Sequence, residues 1–170
     1  MAVEAVYVVD SREQRPYRLE PSVVGALATG DYSVAGLEEL VVVERKSLED
    51  FVACCGRERS RFLRELERLR GYPHAAVVIE ASWESLGEKT WRGTVSPETL
   101  KSSVCSWAAR FCPLILAGSR RGGRSATKRF LDAVVRLRLR ELDALTNPKK
   151  RPRRRRTKAP LPQRTTTIEW

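Results

Sequence analysis

The chain has 170 residues, 42% of them hydrophobic, and carries 32 Lys and Arg against 21 Asp and Glu for a formal net charge of +11. That is mass enough for one hydrophobic core in an ordinary globular domain. No apolar run approaches the ~20 residues that span a bilayer, and no basic stretch leads into an apolar segment at the start, so neither a membrane span nor a secretory signal is expected. Cys54, Cys55, Cys105 and Cys112 show no zinc-type spacing and His74 is the sole histidine, so the cysteines read as reduced packing thiols in a reducing compartment. Nine of the basic residues crowd into 147–170 against a single acid, Glu169, which places +8 of the +11 there. The chain thus divides into a body, 1–146, and a basic tail, 147–170, and the tail favours a polyanionic partner.

In chain order, Val3 to Val9 reads as a first strand, followed by an irregular Asp10-Ser11-Arg12-Glu13-Gln14 that Pro16 closes. Pro21 to Leu27 reads as one helical turn leading into Thr29-Gly30-Asp31, where Gly30 permits a positive φ or a close chain approach. Tyr32 to Val34 and Leu40 to Val43 are short strands joined through Gly36, a hairpin-like pair that sets Asp31 and Glu44 on neighbouring strands. Ser47 and Asp50 form a capping box that opens a helix, and Gly56 interrupts it. Ser60 to Arg70 resumes as an amphipathic helix with Phe62, Leu63, Leu66 and Leu69 on one face, stopped by Gly71 and Pro73. Ala75 to Ile79, ending in Glu80, is a central strand buried on both faces.

From Ala81 to Val95 no period is visible, and Trp83 and Trp91 are expected to dock on the core. Ser96-Pro97 starts another helix, with Leu100, Val104, Trp107, Ala108 and Phe111 toward the core. Pro113 to Ala117 is a strand and Gly118 to Gly123, with Arg120 and Arg121, a flexible basic loop. Ser125 opens the last helix, whose stripe is Phe130, Leu131, Val134, Leu137 and Leu142, with Arg129, Arg136, Arg138 and Arg140 exposed. The tail combines Lys/Arg runs with prolines, lacks apolar content, and is expected to be disordered. The sum is an α/β domain, a mixed twisted sheet of about five strands flanked by helices on both faces.

Chemistry concentrates in Val42-Val43-Glu44-Arg45-Lys46-Ser47-Leu48-Glu49-Asp50. Alternate side chains of a strand share a face, so Glu44 and Lys46 project together and Arg45 points the other way. A carboxylate and an ammonium beside a core are costly unless used. The use that fits is phosphodiester hydrolysis, with Glu44 holding a divalent cation and Lys46 addressing the attacking water or the scissile phosphate. A lone Glu-x-Lys is common; the context is what raises it, because Asp10 and Glu13, Asp31, and Glu44 stand at three strand ends that can converge on one sheet edge. Magnesium suits such oxygen donors. Asp10 and Glu13 also read as turn residues, and Asp50 is fully explained as a capping carboxylate.

Val8-Val9-Asp10-Ser11-Arg12-Glu13, then Gly30-Asp31, then Glu44-Arg45-Lys46-Ser47-Leu48-Glu49-Asp50 resembles the nuclease domain of the XPF family, which includes eukaryotic flap and junction endonucleases and the archaeal Hef nuclease. Its signature is a GD followed by ERK-x-x-x-D, and the resemblance runs from Val6 to Leu142. It implies a restriction-endonuclease-like fold and a Mg²⁺- or Mn²⁺-dependent endonuclease that cuts DNA at branched, flap or junction structures. It further implies metal-site residues Asp10, Glu13, Asp31, Glu44 and the backbone carbonyl of Arg45, with Asp31, Glu44 and Lys46 catalytic and Gly30 and Asp50 supporting the motif. A basic residue near the motif helix, Arg57 or Arg61, is expected to reach a DNA phosphate. Many members append paired helix-hairpin-helix modules or a helicase domain, for which this chain leaves no room. The tail, a homodimer or a heteromeric partner is then expected to supply affinity, in a cytoplasmic or nucleoid-associated protein. One alternative is a non-catalytic DNA-binding or scaffold subunit, since the family includes degenerate partners, although here every expected acidic residue and the lysine are present. Another is an RNA-binding protein led by the tail, against which stands the lack of stacking aromatics near basic residues.

Overall fold

The computed structural model describes residues 4–147. Six strands and four helices follow in the order β1 (Tyr7–Asp10), β2 (Ser22–Gly25), β3 (Tyr32–Val34), β4 (Val41–Lys46), α1 (Leu48–Cys55), α2 (Arg59–Arg70), β5 (His74–Ile79), α3 (Pro97–Arg110), β6 (Leu114–Leu116) and α4 (Arg120–Thr146). They build one mixed sheet in the order β2-β1-β3-β4-β5-β6. β3 runs antiparallel to both β1 and β4, while β1 with β2, β4 with β5 and β5 with β6 are parallel. The α/β class is as the sequence implies.

The period-2 alternation of β4 sorts its side chains between two cores. Val42 joins Val77 and Ile79 of β5 beneath α1, α2 and α3, with Phe51, Phe62, Leu66, Leu100 and Trp107. Val41 and Val43 join Tyr7, Val9, Tyr32 and Val78 beneath α4, through Leu131 and Val134. β4 and β5 are therefore buried on both faces, which is why both read as near-continuous apolar runs. Cys54, Cys55 and Cys112 are buried free thiols and Cys105 is an exposed one.

The structure corrects several expectations. The sheet has six strands, because Ser22–Gly25 is not a helical turn but an edge strand, parallel to β1 with Tyr7 opposite Ser22. Its two valines are β-branched and suit a strand better than a helix. The segment after Gly118 is not a loop. α4 starts at Arg120, capped by the Ser119 hydroxyl, which accepts from the Gly122 N–H. Gly123 is needed in that first turn because a Cβ there would lie 2.1 Å from the Tyr17 hydroxyl. Leu137 and Leu142 are exposed rather than buried. A helix of 27 residues is about 40 Å long at 1.5 Å per residue and overruns strands of about 20 Å. Trp91 packs against the core, whereas Trp83 remains 42% exposed with the Lys101 ammonium over its ring. Ala108 is exposed and Ser103 takes the buried place on α3. Val3 and the tail from Pro148 onward lie outside the described residues, and among those described no helix is long and apolar enough to cross a membrane.

Candidate active site

The site forms where β4 outruns β3. Tyr32 at the start of β3 pairs with Val43, so Glu44, Arg45 and Lys46 continue beside β5 alone, opposite Val77, Val78 and Ile79. Asp31 fills the vacated edge. Its N–H donates to the Val43 carbonyl at 2.9 Å, and its Oδ2 accepts from the Arg45 N–H at 2.7 Å. The N–H and C=O of one strand residue point to the same side, so the Arg45 carbonyl faces the Asp31 side as well. Gly30 makes the approach possible, with φ at +76° and a position where a Cβ would meet Val42 Cγ2 at 2.2 Å. This is the physical content of the Gly-Asp pair.

Glu44 and Lys46 project toward α1 and α2, and Arg45 projects toward α4, as strand alternation predicts. Lys46 Nζ donates to Glu44 Oε1, lies 3.6 Å from Glu65 Oε2 on α2, and sits 5.0 Å from the centre of the Phe62 ring. Two carboxylates, Glu44 and Glu65, thus lie against one ammonium, and Asp31 feels its charge from further off. Burial pushes the Asp31 carboxyl up to about 6, against the pull of the Arg45 N–H, and the negative charge of Glu13 raises it further. Burial likewise drives Glu44 well above the usual carboxylate range, with Lys46 opposing and Asp31 and Glu65 reinforcing the rise. For Lys46 burial works against the charged form, but Glu44 and Glu65 outweigh it and its ammonium is held.

The other sequence-predicted acids are placed differently. Asp10 is 3% exposed and its carboxylate is fully engaged. Oδ1 accepts from Arg12 N and Nε at 2.9 and 2.7 Å, and Oδ2 accepts from Arg12 Nη2 at 3.0 Å and Leu27 N at 2.7 Å. The Arg12 hydrogen bonds are the main reason its carboxyl is lowered to about 2. Glu13 lines the same cavity, but on the Arg45 side: its Oε1 accepts from Arg15 N at 2.6 Å and lies 3.6 Å from Arg45 Nη1. Arg45 meets Glu80. Asp50 completes the capping box, accepting from Ser47 Oγ at 2.7 Å while its own N–H donates to that hydroxyl at 3.2 Å. Arg57 and Arg61 stand on the α2-side rim of the cavity, both beside Glu58, at 3.8 and 3.0 Å. Arg12 and Arg15 line the opposite wall.

Two carboxylates reached sequence reasoning without a role. Glu65 follows Phe62 by three residues, which places it on the border of that helix's buried face. Glu80 directly ends the apolar run of β5, as Glu44 does that of β4.

The cavity at this strand end has a volume of about 650 Å³. Among the described residues no three His, Cys, Asp or Glu side chains are gathered into a ready-made metal cage. The donors that fit a divalent cation are the Asp31 and Glu44 carboxylates with the Arg45 carbonyl. All are hard oxygens, and magnesium typically needs only one or two protein carboxylates because it keeps several waters.

The ERCC4 domain sequence profile matches residues 9–120. This chain belongs to the ERCC4 domain family. The matched span runs from the end of β1 through the start of α4, so it takes in the whole cavity floor. The fold of this ERCC4 domain is similar to that of XPF from Aeropyrum pernix, with a TM-score of 0.59 at 18% identity over 76% of this chain and 61% of that one. It is similar also to XPF from Aeropyrum pernix in complex with DNA, with a TM-score of 0.60 at 18% identity over 78% of this chain and 66% of that one. The chain therefore spans less than two thirds of the length of those structures, and at this identity the likeness is one of fold. No curated protein sequence matches it significantly.

Proposed function

We propose that this ERCC4 domain is a divalent-metal-dependent endonuclease that hydrolyses phosphodiester bonds of DNA, at branched, flap or junction structures. The observation that carries the reading is the imbalance at the end of β4, where Glu44 and Glu65 share the ammonium of Lys46 in a buried setting with the Asp31 carboxyl close enough to feel all three charges. Excess buried negative charge is unfavourable by itself and is relieved by a cation. Membership of the ERCC4 family and likeness to an XPF fold in complex with DNA supply the substrate class.

In this reading Asp31, Glu44 and the Arg45 carbonyl would hold Mg²⁺ or Mn²⁺, with Glu13 and Asp10 beside it. When bound, the cation supplies Lewis-acid polarisation of the scissile phosphate and of the attacking water. With a cation held there, Glu44 would not need Lys46 as its counterion. The Lys46 ammonium, kept charged by its acidic neighbours, is free to donate hydrogen bonds to the phosphate oxygens or to hold the nucleophilic water in line. The Arg45 N–H keeps Asp31 Oδ2 turned toward β4 throughout. Arg57 and Arg61 on one rim and Arg12 on the other contact flanking phosphates without reading sequence. The test is cleavage of flap, fork, four-way-junction and linear duplex DNA with and without Mg²⁺ or Mn²⁺. Metal-dependent cutting that favours branched forms is expected, and binding without cutting under any metal would point instead to a scaffold subunit.

A further inference from the structure

Arg45 has two carboxylate claimants on the α4 face, and they hold it unequally. Glu80 takes it in a two-toothed pair, Arg45 Nε to Oε1 at 2.8 Å and Nη2 to Oε2 at 3.2 Å. Glu13 approaches only Nη1, at 3.6 Å. Glu80 is itself fixed from two further directions: the Tyr17 hydroxyl donates to it at 2.7 Å, and Arg120 Nη1 lies at 3.4 Å. Arg120 is tied down in turn by the Arg15 and Pro16 carbonyls at 2.7 and 2.9 Å. The Tyr17 ring lies near both guanidinium groups, 5.7 Å from that of Arg45 and 5.1 Å from that of Arg120. The side chains of Arg45, Glu13 and Glu80 are all less than one tenth exposed, so water does not stand in for a lost partner.

We propose that Glu80 is a positioning residue for the metal site: by occupying the Arg45 guanidinium it leaves Glu13 free to serve the cation's water shell beside Asp31 and Glu44. The inference rests on the nuclease reading above. Arginine presents a planar fork that matches a carboxylate with two parallel hydrogen bonds. Glu80 fills the Nε and Nη2 edge and leaves Glu13 a single distant contact. Without the Glu80 charge, the buried guanidinium lacks its closest counterion, and among the described residues the one remaining carboxylate it pairs with is Glu13. Arg45 then draws Glu13 toward α4 and away from the cavity.

Mn²⁺ affinity of the full chain, measured by calorimetry and by the paramagnetic resonance of free Mn²⁺, tests this without any turnover. Glu80→Gln keeps the size of the side chain and an acceptor for Tyr17, and is expected to weaken Mn²⁺ binding by roughly 10- to 100-fold, the range seen when partners of metal ligands are removed. The deciding readout is a double-mutant cycle with Glu13→Gln. If Glu80 acts through Arg45 and Glu13, Glu80→Gln causes little further loss once Glu13 is already an amide. If it acts only as a distant negative charge or a fold stabiliser, the two losses multiply. Multiplying losses, or an affinity that Glu80→Gln leaves unchanged, overturn the proposal. Should Glu80→Gln not fold, as its melting in chelator shows, Tyr17→Phe removes one donor from Glu80 more mildly. It is expected to give a smaller loss in the same direction that vanishes in the Glu13→Gln background, and an unchanged affinity there overturns the proposal equally. A wild-type chain that takes up no Mn²⁺ at all overturns the nuclease reading itself, and is thereby distinguished from failure of the Glu80 proposal alone.

Discussion

The two sides of β4 at its C-terminal end carry similar residue types in opposite states of balance. Toward α4, Arg45 meets Glu80 and Glu13, and Glu80 is further met by Tyr17 and Arg120, so each buried charge has an opposite partner within reach. Toward α1 and α2, Glu44, Glu65 and Asp31 have Lys46 among them. A matched buried network holds its geometry without outside help, whereas an unmatched one is costly until a ligand completes it. Charge in a core is therefore not what marks the reactive side. Excess charge of one sign is.

The largest effects are expected on the unmatched side. Lys46→Ala should reduce cleavage by on the order of 10²- to 10³-fold, as removal of a preorganised donor does, with DNA affinity nearly unchanged because one ammonium is a minor part of a multi-phosphate contact. Asp31→Asn should reduce cleavage as severely and weaken metal uptake too, since it removes a ligand charge. Turnover that survives in both variants with excess Mn²⁺ would break the assignment of this side as reactive.

The next effect is on stability. A cation that binds only the folded chain adds about 2.7 kcal/mol at a hundred times its dissociation constant, which for a domain of this size raises the melting midpoint by several degrees. Wild type should show that rise with Mg²⁺ or Mn²⁺, and Glu44→Gln and Asp31→Asn should not. An equal rise in all three would place the cation elsewhere.

Two aspartates sharpen the contrast through pH. In chelator, Asp31 keeps its proton up to about 6 because it is buried, whereas in the unfolded chain it releases it near 4. Between those values the folded state binds more protons, so stability falls as pH rises, and Asp31→Asn should flatten that slope. Asp10, lowered to about 2 chiefly by its hydrogen bonds from Arg12, acts in the opposite sense. Its contribution is present above about 4 and is lost as pH falls toward 2, and Arg12→Ala should diminish it. Denaturant midpoints measured across the acid range separate the two signs, and slopes of the same sign at both positions would contradict the structure.

Much of this was legible in the sequence because it depends on short-range rules. The β-branched run before Glu44, the period of two that splits Glu44 and Lys46 from Arg45, and the Ser47–Asp50 capping box each require only neighbouring residues. The Gly30-Asp31 pair pointed to a close approach, although not to the Val42 methyl that forbids a side chain at Gly30. What was not legible depends on distant segments. Ser22–Gly25 becomes a strand only because β1 offers an edge, and Arg120 to Arg124 becomes helical because Gly123 can pack against Tyr17. The hydrogen bonds that Leu27 and Arg12 donate to the Asp10 carboxylate depend in part on a segment seventeen residues away and were not legible either. Glu65 and Glu80 acquire meaning only when the fold brings them to Lys46 and Arg45, since an acid at a helix border or a strand end is ordinary by itself.

The smallest effect is expected on the rim, where charge is exposed rather than buried. Arg57 and Arg61 have side chains 83% and 76% exposed and share Glu58 as a partner, so water screens them and neither contributes measurably to the fold. Their part in the proposed function is to neutralise phosphates that flank the cavity. Each cation seated on a duplex phosphate adds about 0.9 to the slope of log affinity against log salt. The paired variant Arg57→Ala with Arg61→Ala should therefore flatten that slope by roughly 2 units, uniformly across DNA sequences. Cleavage at low salt and saturating protein should stay near the wild-type rate, because neither guanidinium touches Asp31, Glu44 or Lys46. A slope that does not move would remove these arginines from the DNA path. A lost rate at saturation would show that the rim orients the scissile phosphate, and the division between a reactive floor and a merely attractive rim would have to be redrawn.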